Sequence, residues 1–220
     1  MTARPALALP GYVDGLDVSQ VQRIDDPDAV RAAGFEWVIA KATEGLSYRD
    51  PAYRRHVDAL AGAGLLVGAY GFARVSQGQP RAQARHLYDV ATGDGRHVVR
   101  CVLDLESCPP GTPWAALREF AEEYLSELRL SGCLPVLYTM TSWTGPIGAY
   151  TLGVPVWVAQ YRSTTAPWAP ASEADMPPGA WAAWQYSGDG GYRVPGIPQD
   201  CDRNLLRAAD VRAWFGLPVG

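Results

Sequence analysis

The sequence lacks any uninterrupted apolar run of about 18 residues, the length that a membrane-spanning helix needs, so we expect no membrane span. It also lacks an excess of positive charge: Lys and Arg number 19, Asp and Glu 23, and the net charge is −4. This balance argues against nucleic acid or an anionic membrane as the main partner. Internal repeats and low-complexity segments are missing too. A chain of 220 residues that is 48% hydrophobic is therefore expected to form one large domain.

Cysteine and histidine are too few and too scattered for a zinc site. The four cysteines have no C-x-x-C spacing, which argues against structural zinc. Cys101 and Cys133 fall at similar depths of consecutive predicted strands, so the sequence leaves open either one or two disulfides or four reduced thiols. The three histidines, His56, His86 and His97, fall on predicted helices or connections. We expect neither a metal nor a cofactor.

Strand-like apolar runs alternate with helical patterns along much of the chain. The predicted strands cover residues 15–19, 36–42, 65–72, 98–106, 134–140, 154–161, 180–186 and 199–203. Predicted helices cover residues 27–33, 51–63, 80–91 and 113–128, and a terminal helix buries Leu205, Ala209 and Trp214. Five βα units followed by three strands without full helices predict a single TIM-like α/β barrel, (β/α)5(β)3. We place this barrel at residues 13–216, after an N-terminal extension at residues 1–12.

Four acids fall at the ends of predicted strands, where a parallel barrel carries its chemistry. Asp104 and Glu106 end the fourth strand and point the same way, with Cα atoms roughly 6.6 Å apart. Burial and mutual repulsion should drive their pKa values apart, leaving one proton donor and one anion near neutral pH. We expect Glu106 to lie deepest. Asp17 and Asp202 end the first and last strands and should become neighbours when the barrel closes.

An ordered set of motifs resembles the glycoside hydrolase family 25 muramidases, lysozymes of the Chalaropsis type. The motifs are Asp17-Val18-Ser19, Lys41-Ala42-Thr43-Glu44-Gly45, Gly68-Ala69-Tyr70, Asp104-Leu105-Glu106, Tyr138, Trp157-Val158-Ala159-Gln160-Tyr161, Trp184-Gln185-Tyr186-Ser187 and Asp202-Arg203-Asn204. The resemblance implies a (β/α)5(β)3 barrel that cleaves the β-1,4 bond between N-acetylmuramic acid and N-acetylglucosamine. It implies a proton donor at Glu106 and supporting catalytic acids at Asp17, Asp104 and Asp202.

The same resemblance implies bacterial peptidoglycan as the partner, and we expect a monomer that acts on the cell wall. Residues 1–10 make a poor signal peptide, because their apolar stretch is short and broken by Pro10. We therefore expect either a phage lysin released from the host cytoplasm or a secreted domain of a longer protein.

Flat aromatic side chains near the predicted strand ends are candidates for binding sugar rings. The candidates are Tyr70, Tyr138, Trp157, Tyr161, Trp184 and Tyr186, and we expect about half of them to be core residues. Tyr138, Trp184 and Tyr186 are the favoured stacking residues because they lie nearest the strand ends. Lys41 and Glu44 either contact substrate or form a structural pair.

Gly71 departs from the family pattern, which has His between the tyrosine and phenylalanine of the third strand. We expect Gly71 to face the mouth and to change the shape of the sugar subsites. The segment Gln20-Val21-Gln22, where the family commonly has an aromatic residue, is a second departure near the mouth.

The spacing of Asp104 and Glu106 also predicts the stereochemistry. Same-face neighbours on one strand cannot reach the separation of about 6.5–9.5 Å that inverting enzymes use. We therefore expect retention, either through the substrate acetamido group with Asp104 orienting it, or through direct attack by Asp104 or Asp202.

Two other functions are compatible with acids at a barrel mouth. One is a metal-dependent phosphodiesterase, although that class usually adds His ligands near strand ends, where this chain has none. The other is an inactive glycan-binding barrel, which would be expected to lack one of the acids.

Overall fold

Eight strands form a closed ring in which each strand pairs with the next along the chain and the last returns to the first. The computed structural model describes residues 3–93, 100–162, 169–188 and 193–217. The ring consists of β1 (Tyr12–Val18), β2 (Trp37–Glu44), β3 (Leu66–Phe72), β4 (Arg100–Asp104), β5 (Leu134–Met140), β6 (Val156–Ala159), β7 (Ala183–Ser187) and β8 (Asp202–Arg207). The predicted barrel is confirmed. The predicted start of β4, at residues 98–99, lies outside the described residues.

The first seven strands are parallel, whereas β8 runs antiparallel to both β7 and β1. The sequence placed Asp202 at the carboxyl end of the last strand, and this is wrong: Asp202 begins β8. Because β8 is reversed, its first residue still lies at the mouth. Leu205 lies on β8 rather than on a terminal helix, and Ala209 is exposed.

Helices pack outside the ring and become short after the fifth strand. They are α1 (Pro27–Ala32), α2 (Tyr53–Gly62), α3 (Pro80–Thr92), α4 (Trp114–Leu130), the single turn α5 (Thr141–Thr144) and α6 (Val211–Trp214). Pro27 and Pro80 open their helices, where the missing N–H costs nothing. Short strands at Tyr48–Arg49, Arg193–Val194 and Ile197–Asp200, and 3₁₀ turns at Val75–Gln77, Ala149–Thr151, Glu173–Asp175 and Ala208–Asp210, lie in the connections.

The strands bury apolar side chains on both faces, which gives two cores. Leu103, Leu137 and Trp184 belong to the outer core between the ring and the helices. The inner core fills the barrel and contains Trp37, Val102, Val136, Trp157 and Leu206. Gly15 makes room for this filling, because a Cβ there would lie 2.1 Å from the Trp37 ring. The inner core fills the barrel below the mouth.

Candidate active site

A cavity of about 260 Å³ opens at the mouth above the inner core. Residues from most of the barrel strands, and from the segments that follow them, line it. They are Asp17, Tyr70, Asp104, Glu106, Tyr138, Trp157, Tyr161, Gln185, Gly188 and Asp202. All four predicted acids are therefore brought together at one site.

Strand alternation on β4 explains how two of the acids reach the cavity. Val102 points into the inner core, so Asp104 and Glu106 point to the same side. The expectation that Glu106 lies deepest is wrong: Asp104 is 7% exposed, and Glu106, beyond the end of the strand, is only half-buried. Asp104 Oδ1 is buried and accepts no hydrogen bond from the described residues.

Asp104 is the acid whose protonation the site changes most clearly. Burial raises the pKa of Asp104 well above its usual range, and the neighbouring carboxylates of Glu106 and Asp17 raise it further. Two carboxyl groups this close do not both ionise readily. The pair formed by Asp104 and Glu106 therefore keeps its last proton to a higher pH than an isolated aspartate would.

Asp17 is held by side-chain amides from two other strands. Gln185 Nε2 donates to Asp17 Oδ2 at 2.7 Å, and Asn204 Nδ2 donates to the same oxygen at 2.8 Å. Trp157 Nε1 in turn donates to Asn204 Oδ1 at 2.9 Å. Asp17 is paired with Asp202 across β1 and β8, which confirms that these acids become neighbours on barrel closure. This network fixes one carboxylate oxygen in place.

Aromatic side chains form the walls of the cavity. Tyr70, Tyr138, Trp157 and Tyr161 line it. The hydroxyls of Tyr138 and Tyr161 both donate to Gln185 Oε1, the former at 2.6 Å. Burial raises the pKa of Tyr70 and of Tyr138 well above the usual range, so both remain neutral donors. Tyr161 is partly exposed at the rim.

Residues 16–197, most of the chain, match the family described as glycosyl hydrolases family 25. The chain belongs to this family. It is a glycoside hydrolase of the lysozyme type, and hence a peptidoglycan hydrolase.

Lysozyme and muramidase relatives match most of the chain in sequence, and a solved lysozyme structure matches most of it in fold. Lysozyme M1 of Streptomyces globisporus is 31% identical over 91% of this chain and 69% of that protein. An N,O-diacetylmuramidase of Chalaropsis sp is 29% identical over 80% of this chain and 88% of that protein. The crystal structure of a bacterial lysozyme from Streptomyces coelicolor superposes with a TM-score of 0.75, at 30% identity, over 92% of this chain and 96% of the other.

Two predicted sugar-stacking residues of this family 25 enzyme cannot reach the cavity. Trp184 and Tyr186 are each 1% exposed and belong to the outer core. Trp184 Nε1 donates to the Gln160 carbonyl at 3.0 Å. The prediction is wrong because Ala183 and Gln185 take the inward positions of β7, which leaves Trp184 and Tyr186 on the outer face.

Lys41 and Glu44 form an ion pair rather than part of the cavity lining, with Lys41 Nζ 2.7 Å from Glu44 Oε2. The register of β2 against β3 shifts between Lys41 and Thr43. This irregularity brings residues three apart onto the same face, which regular alternation would not do. Arg74 also pairs with Glu44.

Gly71 does not face the mouth, and the expectation that it shapes the sugar subsites is wrong. It lies on the outer face of β3, where a Cβ would be 2.6 Å from the Tyr124 hydroxyl and 2.9 Å from Thr43 Oγ1. Gln20 and Val21, the other departure, are exposed. Gln22 Nε2 donates to the Asp200 carbonyl at 3.0 Å.

The sequence reasoning missed Gln185 and Asn204 as site residues. Both lie inside motifs that carried the resemblance, next to aromatic and acidic residues whose chemistry is more conspicuous. Their inward position could have been found from strand alternation, counting from Ala183 and from Asp202.

The thiols lie away from the cavity lining. Cys101 and Cys133 are in contact, with sulfurs 2.8 Å apart, and both are unbridged, as are Cys108 and Cys201. Over the described ranges no group of three or more His, Cys, Asp or Glu residues is placed to hold a metal ion. Within the same ranges, no helix has the length and apolar character needed to cross a membrane.

Proposed function

We propose that this enzyme is an N-acetylmuramidase that cleaves the β-1,4 bond between N-acetylmuramic acid and N-acetylglucosamine, with Glu106 as general acid and base and with retention of configuration. The observation that carries the proposal is the pairing of Glu106 with buried Asp104 in one cavity. Burial raises the pKa of Asp104 well above its usual range, with the Glu106 carboxylate as a further cause. Such a pair shares one proton between its two carboxyl groups. In the proposed substrate complex this proton lies on Glu106, which gives it to the leaving oxygen, and Asp104 is ionised.

The proposed reaction has two displacements. Glu106 first gives a proton to the leaving oxygen while the acetamido oxygen of muramic acid bonds to the anomeric carbon. Asp104 accepts a hydrogen bond from the acetamido N–H, which becomes more acidic as positive charge develops. The Glu106 carboxylate then takes a proton from the water that attacks the anomeric carbon, and the acetamide is released. Two inversions give net retention.

The remaining acids have supporting roles. Asp17, fixed by Gln185 and Asn204, places negative charge beside the forming cation. Asp202, next to it across β1 and β8, does the same. Tyr70, Tyr138, Trp157 and Tyr161 supply hydroxyls and ring faces for the sugars.

We further propose that residues 13–216 form the catalytic barrel, with residues 1–12 as an N-terminal extension, and that the enzyme acts as a monomer on the bacterial cell wall. The extension contacts the barrel: Leu7 and Ala8 donate their backbone N–H groups to the Asp14 carboxylate at 2.9 and 3.1 Å. Release as a phage lysin and export as a secreted domain are both compatible with this role.

Digestion of purified peptidoglycan, followed by mass spectrometry of the new reducing ends, tests the proposed bond. Muramic acid at the new reducing ends is the expected result. Glucosamine there would show a glucosaminidase, and the absence of new reducing ends would show that the barrel only binds glycan. Either outcome would overturn the proposal.

A further inference from the structure

A second cavity, of about 170 Å³, lies beside the active site and is here called the side cavity. Its lining includes Arg74, Ser76, Ser107 and Cys108. Ser107 directly follows Glu106, and the backbone N–H of Ala73 donates to the Asp104 carbonyl at 2.9 Å. The side cavity therefore adjoins the segment that carries Asp104 and Glu106.

The chemistry of the side cavity differs from that of the catalytic cavity. Four aromatic side chains and four acids line the catalytic cavity. Within the described part of the chain, the lining of the side cavity contains neither an aromatic ring nor an acid, and Arg74 is its one charged residue. A sugar ring needs flat apolar faces, whereas an arginine flanked by hydroxyls suits a carboxylate.

Arg74 belongs to a charged cluster with a positive balance, which we call the Arg74 cluster (Lys41, Glu44, Phe72 and Arg74). Lys41 and Arg74 both hydrogen-bond to the Glu44 carboxylate. Their cationic groups lie 5.2 and 5.0 Å from the centre of the Phe72 ring. One carboxylate stands between two cations, which gives the Arg74 cluster a formal charge of +1.

The backbone that carries Arg74 is held in place by a buried side chain. Gln83 Oε1 accepts from the Arg74 N–H at 3.0 Å, and Gln83 Nε2 donates to the carbonyls of Arg74 and Gly78 at 3.0 and 2.7 Å. The Arg74 side chain is 46% exposed. Exposed ion pairs add only about 0–1 kcal/mol to stability, so fold stability gives little reason for this arrangement. A fixed, accessible cation beside a cleft fits ligand recognition better.

We propose that Arg74 and the side cavity bind a carboxylate on the non-sugar substituent of muramic acid. The inference rests on the proposed function in one respect, that the substrate contains muramic acid. Two sources carry this chemistry: the side-chain and terminal carboxylates of the stem peptide, and the lactyl carboxylate, which is exposed where the peptide has been removed. Such binding would favour muramic acid in the subsite next to Glu106.

The test measures dissociation constants by calorimetry for soluble peptidoglycan strands, using Glu106→Gln protein so that strands stay intact. Arg74→Gln and Arg74→Lys are added to this background. Arg81→Gln is the matched control, because Arg81 is also 46% exposed and also ion-paired, to Glu123 at 3.1 Å. Four strand preparations are compared: with stem peptides, with all carboxylates converted to methylamides, without stem peptides, and without stem peptides but methylamidated.

On strands that carry stem peptides, Arg74→Gln should weaken binding about 5- to 10-fold, and Arg74→Lys should weaken it less. Methylamidated strands should show no difference between Arg74→Gln and its parent. If Arg74→Gln also weakens binding to peptide-free strands, the bound group is the lactyl carboxylate. If binding to those strands is unchanged, the bound group is a carboxylate of the stem peptide. An equal loss on neutral strands, a loss matched by Arg81→Gln, or no loss on any strand would overturn the proposal. Wild-type cleavage of methylamidated strands tests the muramidase function separately.

Discussion

The side-chain amide of Gln185 joins two walls of the active site, because its Nε2 donates to Asp17 Oδ2 at 2.7 Å while its Oε1 accepts from the Tyr138 hydroxyl at 2.6 Å. Gln185 is buried, so neither of these contacts is readily replaced by water. The orientation of the amide is set by its partners, since only the NH2 end can serve a carboxylate. Gln185 is therefore a positioning residue for Asp17.

Replacing Gln185 with Glu should preserve its size and the tyrosine contacts but replace the donor to Asp17 with a second carboxylate. An unsatisfied buried acceptor costs about 1–3 kcal/mol, so kcat/KM should fall about 5- to 150-fold. A neighbouring like charge raises a carboxyl pKa, so the acid limb of the kcat/KM profile should move to higher pH. Exposed Gln20→Glu is the control. An unchanged pH profile of kcat/KM in Gln185→Glu would contradict the assignment of Gln185 as a positioning residue.

Asp104 should make stability depend on pH in a defined direction. Burial, with Glu106 and Asp17, raises the pKa of Asp104 in the folded protein. A group with a raised folded pKa contributes stability that is complete below the unfolded pKa of about 4, and this contribution is lost as pH rises through the folded value. Asp104→Asn cannot ionise. We measure the free energy of unfolding of both proteins by urea denaturation. The value for Asp104→Asn, minus that for wild type, should therefore increase as pH rises from about 4 to 8. A constant difference across this range would contradict the burial effect.

Gly71 should govern stability rather than substrate binding. A Cβ at this position would overlap the Tyr124 hydroxyl and Thr43 Oγ1. Gly71→Ala should lower the free energy of unfolding by about 1–3 kcal/mol, and Gly71→His by more, with KM unchanged in the folded protein. Adding Tyr124→Phe should recover part of the loss. Gly62→Ala on α2 is the matched control, because a Cβ there meets nothing within 4 Å. A changed KM in Gly71→Ala would show that position 71 contributes to the sugar subsites, contrary to this account.

Sequence periodicity was sufficient for the barrel and for the convergence of its acids, because each strand end is fixed by topology once the βα order is known. Periodicity failed to predict which face of a strand, inner or outer, carries a given aromatic side chain. Aromatic residues are as suitable for the outer core as for a sugar site, so the chemistry of Trp184 and Tyr186 could not decide their direction. Counting alternate residues from Ala183 would have decided it.

Other features depend on long-range geometry that one sequence does not encode locally. The irregularity on β2 that aligns Lys41 with Glu44 appears only when β2 pairs with β3. The reversed direction of β8 likewise follows from its pairing with β7 and β1. Asp202 reaches the mouth because of that reversal, so the right residue was predicted from the wrong strand direction.

The anomeric configuration of the product tests the retaining scheme. Proton NMR of fresh digests should show the β-anomer first, because two displacements restore the starting configuration. Early α-product would exclude retention by either route. Trapping with a fluorosugar then separates the two routes: a glycosyl adduct on Asp104 or Asp202 in the mass spectrum would replace the acetamide scheme with direct attack.

The most direct test of the central claim, that Glu106 in the shared cavity donates the proton, is the rate at which Glu106→Gln releases new reducing ends from purified peptidoglycan. General acid–base help is worth about 10²–10⁴-fold, so the variant should fold normally and lose at least about 99% of wild-type turnover. A folded Glu106→Gln protein that keeps more than about a tenth of that turnover would contradict the assignment of Glu106 as the general acid.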